Sequence, residues 1–301
     1  MIVIDQPHRP AQALKHWQRQ PTVLQRSWRQ LRREPVAGVA AVAIVGLVVL
    51  AVFAPLIAPY DPFASGVGDP LTPPGQDHWF GTDQLGRDLL SRVIFGARIS
   101  LTVALIAVGL GTTTGVVIGL TCGFFEGLYD LLVQRLMDSI LAFPALVLAL
   151  VVVSMLGPDL TNVMLAVAVV IAPGASRVVR GATLSVKRML YIEAARAIGV
   201  STPRLILCHL IPNIAAPVIV LASVSMGGAI LAETGLSFLG LGAQPPTPAW
   251  GLMLSTEGRR FMEEAPWLSI FPGLAIVTAV LSFNLLGDAL RDLLDPKLRG
   301  R

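Results

Sequence analysis

Charge is scarce in this 301-residue chain: Asp, Glu, Lys and Arg make up 14% of it, against 54% hydrophobic residues. Soluble domains carry about 25% charged residues, so this composition excludes an ordinary water-soluble fold and points to a membrane protein. Lysine is nearly missing. Lys15, Lys187 and Lys297 are followed by His16, Arg188 and Leu298, whereas a phosphate-cradling loop needs Lys followed by Ser or Thr. The chain is therefore expected to hold no ATP-binding site of its own and no resident cofactor. His8, His16, His78 and His209 show neither the i,i+4 spacing of a zinc helix nor a neighbouring Cys pair, so no metal is expected. The run Gly235-Leu236-Ser237-Phe238-Leu239-Gly240 has one residue too many for a nucleophile elbow, and no His follows residue 209 to complete that chain order. No catalytic residue is expected.

What is present is a set of apolar runs. A membrane helix needs about 20 mostly apolar residues, and such runs occur at 36–58, 98–123, 132–155, 162–180, 211–233 and 267–287. The reading is an all-α polytopic membrane protein with six transmembrane helices. The first run is read as a retained anchor, because a polar stretch precedes it and it exceeds the 7–15 residues of a signal core. With six spans, 18 of the 23 Lys and Arg fall on the side of the amino terminus. These include Arg26, Arg29, Arg32 and Arg33 of the tail, Arg135, the group from Arg177 to Arg204, and Arg291 to Arg301. Arg87, Arg92, Arg98, Arg259 and Arg260 remain opposite, so both termini are expected in the cytoplasm. The positive charge is then a membrane-face feature that needs no nucleic acid. Cys122 and Cys208 fall at predicted cytoplasmic ends, where thiols stay reduced and no disulfide is expected.

Five segments follow: a basic tail at 1–35 with an interfacial anchor around Trp28, an anchor helix at 36–58, an external loop at 59–97, a core at 98–287 and a cytoplasmic tail at 288–301. From Asp83 onward, Leu85, Leu89, Leu90, Val93 and Ile94 recur at helical spacing, and Asp88 and Arg92 stand four apart. They predict an amphipathic helix on the outer membrane surface, feeding the second span. Pro144 and Pro173 permit kinks in the third and fourth spans. Gly111, Gly115, Gly119 and Gly123 form a ridge at four-residue steps, which lets another helix approach closely, as static packing or as a moving interface. Glu233, Asp288 and Arg291 sit near span ends, where interfacial solvation is expected. The segment from Gln244 to Gly251, with Pro245, Pro246 and Pro248, is read as a rigid external loop, either over the pathway mouth or a plain connector.

Between the fourth and fifth spans, 185–210 forms a polar segment with strong helix formers from Glu193 to Ala197. Gly199 can end that helix at positive φ, and Thr202-Pro203 supplies a cap followed by proline at the first helical position. Ala194 and Ala195 present little side chain, so the short helix could enter a partner's groove, with Glu193 as a directional charge; it could equally rest on lipid headgroups.

The pattern Glu193-Ala194-Ala195, then Gly199, then Ile211-Pro212 resembles the cytoplasmic coupling loop of permease subunits of bacterial ATP-driven importers. Beyond the loop, the run from His78 to Asp88, the run from Leu236 to Gly251 and the ending Leu294-Asp295-Pro296-Lys297-Leu298-Arg299 resemble the second permease subunit of dipeptide, oligopeptide and nickel importers. The resemblance implies a type I ABC importer transmembrane fold in the inner membrane. It further implies a homologous second permease, two nucleotide-binding ATPase subunits that carry ATP and Mg, and an external substrate-binding protein. Tyr191, Glu193, Ala194, Ala195, Ile198, Gly199, Ile211 and Pro212 would form the ATPase contact. Peptide is the expected cargo, with nickel or another small solute as the alternative. A stand-alone secondary transporter or channel would call for buried charges along the spans and an internal repeat, and neither is evident.

Overall fold

The computed structural model describes residues 35–294. The predicted Trp28 anchor, the tail arginines and the run Asp295 to Arg299 lie outside the described residues. Among the described residues there is no strand, only an isolated bridge between Thr82 and Asp88.

Helix α1 spans Pro35–Val52 and a short α2 spans Ala54–Ile57. The break at Phe53 follows from Pro55, which lacks a donor and whose ring clashes with the preceding turn. Helix α3, Leu89–Phe125, has 37 residues and is about 55 Å long, well beyond the ~30 Å hydrocarbon layer. It corrects the predicted surface helix: Asp83 to Asp88 form a turn, and the amphipathic stretch is the amino-terminal end of the second span itself. Asp88 caps it, accepting from the Ser91 amide.

The third predicted span is two helices, α4 (Gly127–Leu141) and α5 (Ala145–Leu156), bent by 93°. Neither crosses a bilayer alone. Pro144 disfavours helical geometry at Phe143, and the Pro144 carbonyl accepts from the Leu148 amide to start α5. Where a kink was expected, the chain turns a corner. Helix α6, Leu160–Lys187, continues without a break through Pro173. Helix α7 (Leu190–Ala197), α8 (Thr202–Leu205) and a π-helical turn at Ile206–Leu210 lead into α9, Ile211–Phe238. After the proline-rich loop come α10 (Trp250–Met253), a second π-helical turn (Leu254–Gly258) and α11 (Trp267–Leu294). Among the described residues, four helical stretches are long and apolar enough to cross a membrane, Thr202–Phe238 counted as one of them, five if α4 and α5 count as one span, and α1 is a shorter apolar helix.

The main core joins α3, α6, α9 and α11 through Val103, Ala107, Val163, Ile230, Leu268 and Ala279. The tightest pair is α3 with α6, along the glycine ridge. A Cβ on Gly111 would stand 2.8 Å from the Ala168 carbonyl oxygen, on Gly115 2.7 Å from that of Ala172, on Gly119 2.9 Å from the Arg180 nitrogen and on Gly123 2.8 Å from Thr183 Cβ. All four glycines thus let two backbones of the same chain touch.

Candidate coupling site

Helix α7 follows α6 after two intervening residues and is bound to the body by a small core of its own. Ile192 and Ala195, three apart and so on one face, are buried with Leu120, Val179, Val186, Leu205, Leu210 and Ile214. At its end Ile198 and Gly199 donate to the carbonyls of Ala194 and Arg196 (3.1 and 3.0 Å), and Val200 donates to that of Ala195 (3.1 Å). Gly199 has φ +81° with nothing within 4 Å of a built Cβ, so backbone conformation and not space selects glycine there. Ser201 occupies the N-cap position of the restart, one residue before the predicted cap, without a side-chain capping bond, and Pro203 lies in the first turn.

The outward face of α7 carries Leu190 and Ile198, each 82% exposed, beside Tyr191, Glu193 and Ala194. This corrects one expectation. Ala194 faces outward, but Ala195 is turned into the protein's own core, because Ile192 and Ala195 together fill the space above Leu205 and Leu210. Ile211 and Pro212 are exposed at the start of α9. Asn213 donates to the His209 carbonyl at 2.6 Å.

A polar ladder that sequence reasoning missed ties this region to the broken span. Glu126, Asp130, Gln134 and Asp138 recur every four residues, a spacing that could have revealed one face of α4. They meet Lys187 (2.6 Å), Arg180 (bidentate, 2.6 and 2.5 Å), Ser176 (3.1 Å) and Arg177 (2.5 Å) of α6. The Lys187 hydrogen bond, joined by its charge, holds the Glu126 carboxyl below the usual carboxylate range. Lys187 and Arg196 both lie over the Phe124 ring at 5.5 Å. Through Arg196, α7 thus touches the corner between α3 and α4.

At the opposite end, an ion cluster closes the bundle. Arg87 donates to Asp83 at 2.5 Å and to Glu257 at 2.6 Å, and Arg92 lies 3.5 Å from Asp83 and donates to the Pro62 carbonyl at 3.2 Å. The expected Asp88–Arg92 pair is not formed. Asp88 instead accepts from Ser91 and faces His78 Nδ1 at 2.9 Å. Burial, aided by the Asp83 charge and opposed by the two arginines, pushes the Glu257 carboxyl up. Trp250 is fully buried and donates to the Val93 carbonyl at 2.9 Å, so the proline-rich segment is locked onto α3. Glu233 also departs from expectation: it is fully buried, accepting from Ser100 (2.9 Å) and Ser237 (2.8 Å). Asp288 and Arg291 are exposed. Cys122 is buried and Cys208 exposed, both free. Among the described residues no group of three or more His, Cys, Asp or Glu could hold a metal ion.

Residues 115–300 match the family of binding-protein-dependent transport system inner membrane components. The chain belongs to this family of importer permeases. Residues 22–74 match the N-terminal transmembrane domain of oligopeptide transport permease C. The permease is also 47% identical, over 274 residues covering 91% of it and 90% of the relative, to the glutathione transport system permease protein GsiD of Escherichia coli O6:K15:H31 (strain 536 / UPEC). It matches the proteins of the same name from Shigella boydii serotype 4 (strain Sb227) and Shigella sonnei (strain Ss046) to the same extent. It is an ABC importer permease with the type I membrane fold, multi-pass in the inner membrane.

Proposed function

We propose that this permease forms half of a translocation pathway for small peptides, driven by separate ATPase subunits, one of which seats on the outward face of α7. The observation that carries this reading is the division of α7 into a buried face and an exposed one. Ile192 and Ala195 anchor it, while Leu190, Tyr191, Glu193, Ala194 and Ile198 are left for a partner. A lone interfacial helix has no need of a rigid base, whereas a lever does. Gly199 supports the role by stopping the helix abruptly, so that force on α7 passes through α8 into α9.

A peptide cargo is supported by the similarity to glutathione transport permeases; glutathione is itself a short peptide, and that name is what favours peptide over nickel. The remaining partners are a homologous second permease and an external substrate-binding protein. The apolar residues left exposed along α4 and α5, among them Leu132, Leu136 and Val151, suit burial against the second permease. The excess of basic residues on one side supports cytoplasmic termini. ATP and Mg would reside in the ATPase subunits.

The test uses the complex reconstituted in liposomes, with labelled glutathione and a labelled dipeptide as cargo and a photo-crosslinking residue at position 190. ATP-dependent uptake with a cross-link to an ATPase subunit is the expected result. Uptake of nickel but of neither peptide would overturn the cargo. A periplasm-active reporter fused to Arg301 should stay silent, and a strong signal would overturn the topology.

A further inference from the structure

Two cavities share a wall at the outer end of the bundle. One, of about 810 Å³, is apolar, within the ~300–1,000 Å³ of sites that hold small molecules. Leu90, Val93, Ile94 and Ala97 line it from α3 at i, i+3, i+4 and i+7, and the stretch from Phe271 to Thr278 repeats that spacing on α11. Two turns of helix give the cavity about 10 Å of depth along each. Leu47 and Leu50 of α1 close the third side, and Phe80 stacks on Phe271 at 3.8 Å to shape the upper wall.

The second cavity, of about 600 Å³, is polar and formed by the external loop from Gly66 to His78. Tyr60, Gln76 and Asp77 belong to both cavities, so a single molecule with an apolar and a polar part can occupy the two together. The mouth also carries Trp79, 70% exposed, as aromatic residues do at the membrane boundary. Asp69 and Asp77 are exposed on the polar cavity. Among the described residues neither has a cation within ion-pair distance, and no Lys or Arg lines either cavity.

We infer that these joined cavities bind one membrane phospholipid whose headgroup carries a protonated amine. The acyl chain lies between α1, α3 and α11, where the apolar lining matches it, and the ammonium lies against Asp69 and Asp77. The charge selects the headgroup: an anionic lipid brings a net negative charge against two carboxylates with no cation to offset it. The bound lipid would fasten α1, which meets the rest of the bundle through α3 and α11, to the outer end of the core.

The test equilibrates the intact transport complex with vesicles of equimolar phosphatidylethanolamine and phosphatidylglycerol, extracts it in mild detergent and counts retained lipids by native mass spectrometry. The expected result is one retained phosphatidylethanolamine per permease, in several-fold excess over phosphatidylglycerol. Asp69→Asn with Asp77→Asn should abolish the excess while leaving one lipid bound. Ala275→Phe or Thr278→Phe, which fill the apolar cavity from two positions, should remove that lipid from complexes that still elute as intact assemblies. Equal retention of both lipids in the unaltered protein would overturn the headgroup assignment. Retention unaffected by both filling variants would overturn the site, and so would binding of cargo peptide to the lipid-free complex that the Asp69 and Asp77 changes abolish.

Discussion

Adding one methyl group to Gly119 should loosen the permease, while adding it to Gly109 should not. A Cβ at Gly119 would collide with the Ser176 carbonyl oxygen and stand 2.9 Å from both the Arg180 nitrogen and Val179 Cβ, whereas one at Gly109 meets nothing within 4 Å. Two of the three atoms beside Gly119 belong to the α6 backbone and cannot rotate away, so α3 and α6 must separate along the whole ridge. Overpacking of this kind costs about 1–3 kcal/mol. At Gly109 the only change is the helix propensity of Ala over Gly, worth up to ~1 kcal/mol in favour of the variant. The propensity gain is common to both positions, so the two substitutions should differ by the collision alone, about 1–3 kcal/mol, roughly a 5- to 140-fold difference in the folded ratio. Denaturant titration of the detergent-solubilised chain, followed by protection of buried Cys122 from a thiol reagent, measures this. Equal stability of Gly119→Ala and Gly109→Ala would refute the packing argument.

Ala195→Trp should release α7 from its core and leave the segment sensitive to protease, because the side chain has no room beside Leu205 and Leu210. Ala194→Trp should leave the fold intact and reduce only ATPase association, measured by co-purification. Gly199→Val forces a β-branched residue to positive φ, at about 1–3 kcal/mol, and should increase hydrogen exchange from Arg196 to Val200 without affecting membrane insertion. Arg87→Met leaves Asp83 and Glu257 buried without their main partner and should cost about 3–5 kcal/mol, read as loss of thermal stability with exposure of the 59–88 segment. Glu257 binds its proton more tightly in the folded than in the unfolded state. Its contribution is therefore fully present below the ordinary carboxylate value and is lost as pH rises through the raised folded value. Glu257→Gln should flatten stability across that window, which thermal melts in a pH series would show.

Four of the six apolar runs, 98–123, 162–180, 211–233 and 267–287, each fall within one helix, whereas the first is interrupted at Phe53 and the third between Leu141 and Ala145. The corner at Pro144 was not legible. Pro173, Pro217 and Pro272 all lie inside continuous helices, so proline alone does not distinguish a bend from a break. Glu233 and Glu257 were misplaced or overlooked because their partners are remote: Ser100 is 133 residues from the first and Arg87 170 from the second. Local spacing carries no trace of such pairs. The helix, stop and restart around Gly199 could be read from composition, but the face that Ala195 presents could not. Its orientation depends on Leu205, Leu210 and Leu120, which reach it only through the turn of the chain and the packing of α3. The polar ladder of Glu126, Asp130, Gln134 and Asp138 was readable in principle, since its four members recur every four residues.

The central claim, that ATP-driven motion enters this permease through the outward face of α7, is tested most directly by the amount of peptide taken up per ATP hydrolysed in liposomes. The decisive comparison is between the unaltered complex and one carrying Ile198→Asp, a change at a position 82% exposed that spares the buried anchors Ile192 and Ala195. Normal insertion and assembly of the membrane subunits are expected, with peptide uptake reduced at least tenfold, either because ATP hydrolysis is lost or because it runs without transport. Unchanged peptide uptake with unchanged ATP hydrolysis would mean that α7 is an ordinary interfacial helix and that force enters elsewhere.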